Sequence, residues 1–120
     1  MKNLKEIAFG ILNDSRLTDI VEDVLDAYPN LIKNFPTVIF QDTNQRDIEF
    51  ADNNPMASSG EVTIHIFTKA IEGYATTSEI AEVVYGLMKE NYFSCSSNSE
   101  IPAESDDVRH RVMVFRNNLF

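Results

Sequence analysis

The sequence predicts an α+β fold, with helices packed on one face of a twisted, mostly antiparallel sheet of about four strands and a long loop or extended hairpin at 42–60. Three observations predict it: apolar stripes at helical spacing, β-branched segments of alternating polarity, and the order in which the two kinds follow one another. A chain of 120 residues has room for one core, so 1–120 reads as a single domain.

Leu4, Ile7, Ala8, Ile11 and Leu12 recur at i, i+3, i+4, i+7 and i+8, which places them on one side of a helix from about Lys2 to Asn13. Asn13, Asp14 and Ser15 then break it, because their side chains bond nearby backbone and favour turns and helix starts. A second helix is expected from Ser15 or Thr18 to Tyr28, with Leu17, Ile20, Val21, Val24, Leu25 and Tyr28 as its stripe. Asp19, Glu22, Asp23 and Asp26 form its solvated face, and Pro29 ends it. One long bent helix also fits this pattern.

Pro36 opens a β-branched run, Thr37-Val38-Ile39-Phe40, that reads as a strand from Phe35 to Gln41. Val38 and Phe40 share its core face, and Thr37, Ile39 and Gln41 share the other. The segment 42–60 is rich in Asp, Asn, Ser and Gln, with turns at Asn53-Asn54-Pro55 and Ser58-Ser59-Gly60. Ile48 and Phe50 alternate with Asp47 and Glu49, which suits a short projecting strand, and a connection of this length in a compact domain is usually a binding segment or disordered.

Glu61 to Lys69 is the clearest strand: Val62, Ile64 and Ile66 face the core, and His65 and Phe67 face outward. Thr76-Thr77-Ser78-Glu79 matches the capping box, so a helix follows with Ile80, Val83, Val84, Leu87 and Met88 as its stripe and its end near Asn91. A brief edge strand at 92–97, an acidic loop at 100–107 and a final basic strand complete the order. In that last strand Val108, Val112 and Val114 are expected on the core side with His110, and Arg109, Arg111, Met113 and Phe115 on the outer side.

Nineteen acidic residues against ten basic ones give a net charge of -9, which repels phosphate backbones and anionic membranes. No sequence-specific nucleic acid and no membrane is expected as a partner, and no apolar run approaches the roughly 18 residues a bilayer span needs. The single Cys95 precludes an internal disulfide, and the N-terminal residues lack the pattern of a secretion signal, so synthesis in a reducing cytoplasm is expected.

Reactive constellations are missing from the pattern. His65 and His110 would meet only if their strands pair, and zinc spacings are absent. Paired carboxylates such as Asp106-Asp107 and Glu22-Asp23 sit in solvated surroundings, no serine lies in a nucleophile elbow, and the glycines are scattered. No catalytic residue, metal or cofactor is therefore expected.

Two features point to surface contact instead. Ile39, Phe67, Met113 and Phe115 would share the outer sheet face as an apolar patch suited to a subunit interface or to a covering segment of the same chain. Arg109, Arg111 and Arg116 on the final strand suit either protection of an exposed edge or self-assembly against the acidic helix faces. By residues alone, a small cytoplasmic ligand-binding or regulatory α+β domain remains an alternative, as does an enzyme built on the two histidines.

Five stretches in this order, LTDIVEDVLDAYPN, FPTVIFQDTN, EVTIHIFTK, TTSEIAEVVYGLMKEN and RHRVMVFR, give a chain that resembles the small neck and tail proteins of long-tailed bacteriophages. The resemblance is to the tail-terminator or tail-completion family and its head-tail joining relatives. It implies a non-enzymatic structural protein of a phage or prophage, a homo-oligomeric ring and often a hexamer. Such a protein caps the tail tube, docks the head connector and resides in the virion after synthesis in the bacterial host cytoplasm. It also implies that loop residues meet the neighbouring tube or connector, here Asp42 to Gly60 with Phe50 and Met56 as apolar candidates; by the residue pattern Ile48, Phe67, Arg109, Arg111, Met113 and Phe115 are further candidates for partner or subunit contacts.

Overall fold

The computed structural model describes residues 4–26, 32, 34–43, 61–71, 73–101 and 107–117. The chain forms α1 (Leu4–Leu12), α2 (Ser15–Thr18), β1 (Asp23–Leu25), β2 (Thr37–Thr43), β3 (Glu61–Lys69), α3 (Thr77–Glu90), β4 (Phe93–Ile101) and β5 (Val108–Asn117). The strands make one five-stranded sheet in the order β1-β2-β3-β5-β4. β1 and β2 are parallel and the other three pairings antiparallel, so the expected α+β class and the mostly antiparallel sheet hold, with one strand more than expected.

α1 buries the face its stripe defines, through Ala8, Ile11 and Leu12. The break after it is an N-cap: Asp14 accepts the Arg16 backbone N–H at 2.9 Å and starts the single turn of α2, which buries Leu17. The Arg16 guanidinium bridges Asp14 and Glu90, the latter through two bonds of 2.8 and 3.1 Å, and so ties α2 to the last turn of α3 on the surface.

The expected second helix to Tyr28 does not form. After one turn the chain extends, Glu22 donates its N–H to the Pro36 carbonyl at 2.8 Å, and Asp23–Leu25 pairs with Thr37–Ile39. The i, i+3, i+4 spacing of Val21, Val24 and Leu25 is helical, and it is overridden because β2 offers Asp23–Leu25 a parallel ladder that β-branched Val24 suits. Tyr28 and Pro29 lie outside the described residues.

α3 begins as its sequence requires. The Glu79 backbone N–H donates to Thr76 Oγ1 at 3.1 Å, and Ile80, Ala81, Val84, Leu87 and Met88 are buried. It ends at Asn91, whose side-chain amide donates to the Leu87 carbonyl, and Tyr92 at φ 68 turns the chain into β4. β4 lies at the sheet edge as expected, but runs to Ile101 and so takes in Glu100 from the expected loop.

The helices gather on one face of the sheet. A single core cluster joins Ala8, Leu12, Leu17, Val84, Leu87 and Met88 to Val38, Phe40, Val62, Ile64, Ile66, Phe93, Met113 and Phe115. Each fully buried aliphatic or aromatic side chain of this set contributes about 1.5–3 kcal/mol of transfer free energy relative to exposure.

Candidate interaction surface

The face of β5 is the reverse of the expected one. Paired residues in an antiparallel ladder point to the same side, and the register sets Val62 against Phe115 and Ile64 against Met113. Met113 and Phe115 are thus fully buried under the helices, and Val108, His110, Val112 and Val114 stand half-buried on the other side. Both sets are apolar, so alternation does not choose between them. The bulkier pair fills the space beneath α3, where Tyr85 packs over the Phe115 ring at 6.5 Å.

The strand's position also corrects the reading of its arginines. β5 lies between β3 and β4, so they do not guard an edge. Arg109 and Arg111 share the helix side with Met113 and Phe115, whereas Arg116 lies on the opposite side, 3.9 Å from Glu61. Arg111 is committed to its own chain: its Nε donates to Thr77 Oγ1 at 3.3 Å, Nη1 to Asn98 Oδ1 at 2.9 Å and Nη2 to Ser78 Oγ at 3.2 Å. Thr77 in turn donates to Glu100 Oε1 at 2.7 Å. This network pins the start of α3 to β4 and β5. The sequence signal for it was weak, because Glu100 and Asn98 become neighbours of Arg111 only once β4 pairs with β5.

The opposite face, which no helix covers among the described residues, carries the other candidates. Across β2, β3 and β5 the register lines up Thr37, Phe67 and His110 in one row, Ile39, His65 and Val112 in the next, and Gln41, Thr63 and Val114 in a third. Ile39 is fully buried although it lies outside the main core cluster. Phe67 and His110 stack with ring centroids 4.1 Å apart, and His65 lies beside them with its Nδ1 3.0 Å from His110 Nε2. Burial, and then the neighbouring His110, push the His65 imidazole down to about 4, so at neutral pH this ring is uncharged. His65 and Phe67 stand outward as the alternation of β3 required. The histidines meet because β3 and β5 are ladder neighbours.

Ile48, Phe50 and Met56 lie outside the described residues, as does nearly all of the 42–60 segment, of which Asp42 and Thr43 extend β2. Among the described residues no group of three or more His, Cys, Asp or Glu is arranged to hold a metal ion, and no helix is long and apolar enough to cross a membrane.

Two of the concavities among the described residues flank the sheet. One of about 290 Å³ runs between α3 and β4 and is lined by Ser78, Ala81, Glu82, Tyr85, Asn98 and Arg111. The other, about 530 Å³, is lined by Glu22, Ile32, Asn34, Phe35, Lys69 and Tyr74, with Lys69 both over the Phe35 ring and 3.3 Å from Asp107. Neither lining contains a nucleophile hydrogen-bonded to a base.

The fold and surface define an α+β domain with an open, mixed sheet and one helical layer. No protein-family model and no curated protein matches this sequence.

Proposed function

We propose that this chain is a structural virion-assembly protein of a tailed phage or prophage that caps the tail tube and joins it to the head connector. It acts as a ring of identical subunits, a hexamer in the form its resemblance implies, and its partners are the tail-tube and head-connector proteins. The observation that carries this reading is the helix-free sheet face, where Phe67, His110, Val112 and Val114 present a half-buried, mixed aromatic and aliphatic surface beside the neutral His65. Such a surface suits contact with protein, and its rows lie on the central strands of a rigid sheet. The work is done by shape: a subunit that covers the last ring of a tube leaves no complementary surface for the next. The acidic balance of the chain further suits a passage through which DNA moves without adhering.

The test is to let a purified tail-tube protein polymerise with and without this chain and to measure tube lengths by electron microscopy. Capping gives short tubes with extra density at one end, and Phe67→Glu, which places a charge on the contact face, restores full length. Unchanged lengths with the chain left in the unbound fraction would sink the reading.

A further inference from the structure

We infer that β4 is the docking edge for a second copy of this chain, the two β4 strands pairing antiparallel about a two-fold axis at Ser99. This goes beyond the tube-capping reading and does not rest on it.

The two edges of the sheet differ in what they offer. β1 is three residues long and acidic, with Asp23 inside it and Glu22 and Asp26 beside it. β4 is nine residues long, exposed over most of its length, and carries one charged residue, Glu100. Among the described residues no strand pairs with its outer side. In a chain of net charge -9, this edge is where two copies approach with least repulsion, whereas a β4 edge set against β1 of another copy would bring Glu100 toward three carboxylates.

The register follows from the strand itself. An irregularity between Cys95 and Ser97 interrupts the ladder, and residues 97–101 continue in regular pairing with β5. An axis at Ser99 keeps this regular stretch whole: Ser99 meets its own copy, Ser97 meets Ile101 of the other copy, and Asn98 meets Glu100 twice. Asn98 and Glu100 are complementary there. Asn98 Oδ1 is occupied by Arg111 Nη1, which leaves its Nδ2 donors, and Glu100 uses Oε1 to accept from Thr77, which leaves Oε2. Both residues pair with helix-side positions of β5, so each Asn98 amide donates to the facing Glu100 carboxylate, a charge-assisted bond made twice by symmetry. On the opposite face the half-exposed Ile101 gains cover.

The experiment is a dilution series by sedimentation equilibrium on the full chain, wild type and Asn98→Asp. The wild type is expected to show a concentration-dependent monomer–dimer equilibrium. Asn98→Asp sets two carboxylate pairs face to face and raises the dimer dissociation constant roughly 30-fold, while its new carboxylate still accepts from Arg111 and the thermal midpoint of the dilute monomer does not fall. Adding Glu100→Gln to that variant restores affinity to within about threefold of wild type. Independently, Ser99→Cys in a Cys95→Ser background forms a covalent homodimer under mild oxidation. A wild type that stays monomeric at every concentration, a dimer indifferent to Asn98→Asp, or a Ser99→Cys chain that does not cross-link overturns the pairing. Capping is scored separately: loss of capping with the dimer retained tells against the tube-capping reading and leaves the pairing standing.

Discussion

The helix side and the helix-free side of the sheet are built from the same alternating strands, yet they end in different environments. On the helix side Val38, Phe40, Val62, Ile64, Ile66, Met113 and Phe115 are buried almost completely, whereas on the other the β2 residues Thr37 and Ile39 are buried, and His65, Phe67, His110, Val112 and Val114 on β3 and β5 remain half-buried. Apolar character is shared between the faces, and β5 places valines on one and Met and Phe on the other. What separates them among the described residues is cover: α1, α2 and α3 lie on one side, so a methylene removed there leaves a cavity, while the half-buried positions of the other side can adjust to the change.

Adjacent residues of β5 give the widest contrast. Phe115→Ala is expected to lower unfolding stability by about 3–5 kcal/mol, and Val114→Ala by about 1 kcal/mol or less, both read from urea denaturation. Equal losses would mean that the helix-free face is as tightly packed as the core. The Arg111 network supplies the next effect. Thr77 is buried to 3% exposure, so Thr77→Val removes an acceptor from Arg111 and a donor from Glu100 without changing volume, at about 1–3 kcal/mol by the same measurement. Amide exchange in the first turn of α3 should accelerate in that variant.

The helix-free face has its own readout in pH. His65 is neutral in the folded chain down to about 4, whereas in the unfolded chain it takes up a proton below its ordinary value of 6.5. Its contribution to stability is therefore fully present above 6.5 and is lost as pH falls through that window to about 4. Because the ring is only half-buried, water screens the shift and the loss amounts to about 1–2 kcal/mol. The difference in stability between wild type and His65→Gln, followed from pH 7 to 4, checks it: a difference independent of pH would show that the imidazole is not held neutral. The smallest effect is expected at the surface. Arg16 holds the Asp14 and Glu90 carboxyls below the usual range by hydrogen bonding, yet the pair is open to water, so Glu90→Gln should leave the unfolding midpoint within experimental error.

Elements whose pattern admits one reading were legible. The stripe of α1, the cap and stripe of α3 and the strict alternation of β3 each fit a single period, and the structure follows them. The stretch around Val21, Val24 and Leu25 is the exception: its spacing is helical, and there the ladder offered by β2 overrode it. The contact residues divide in the same way. Phe67 and His65 face away from the helices because Val62, Ile64 and Ile66 leave β3 no other arrangement. Met113 and Phe115 passed for surface residues because the neighbouring arginines suggested an outer side, whereas the guanidinium of Arg111 escapes at the margin of the helical layer into bonds with Thr77, Ser78 and Asn98.

By itself the sequence determined the α+β class, where α1 ends and α3 begins, and which side of β3 is core. Those outcomes depend on interactions within a few residues, namely caps, side-chain periodicity and turn chemistry. Only the tertiary structure decided that the acidic stretch after α2 becomes β1, that β5 turns its larger side chains inward, and that β4 extends to nine residues. Each of these depends on which strand lies alongside, and the free energy of a ladder and its packing belongs to the pair and not to either strand alone.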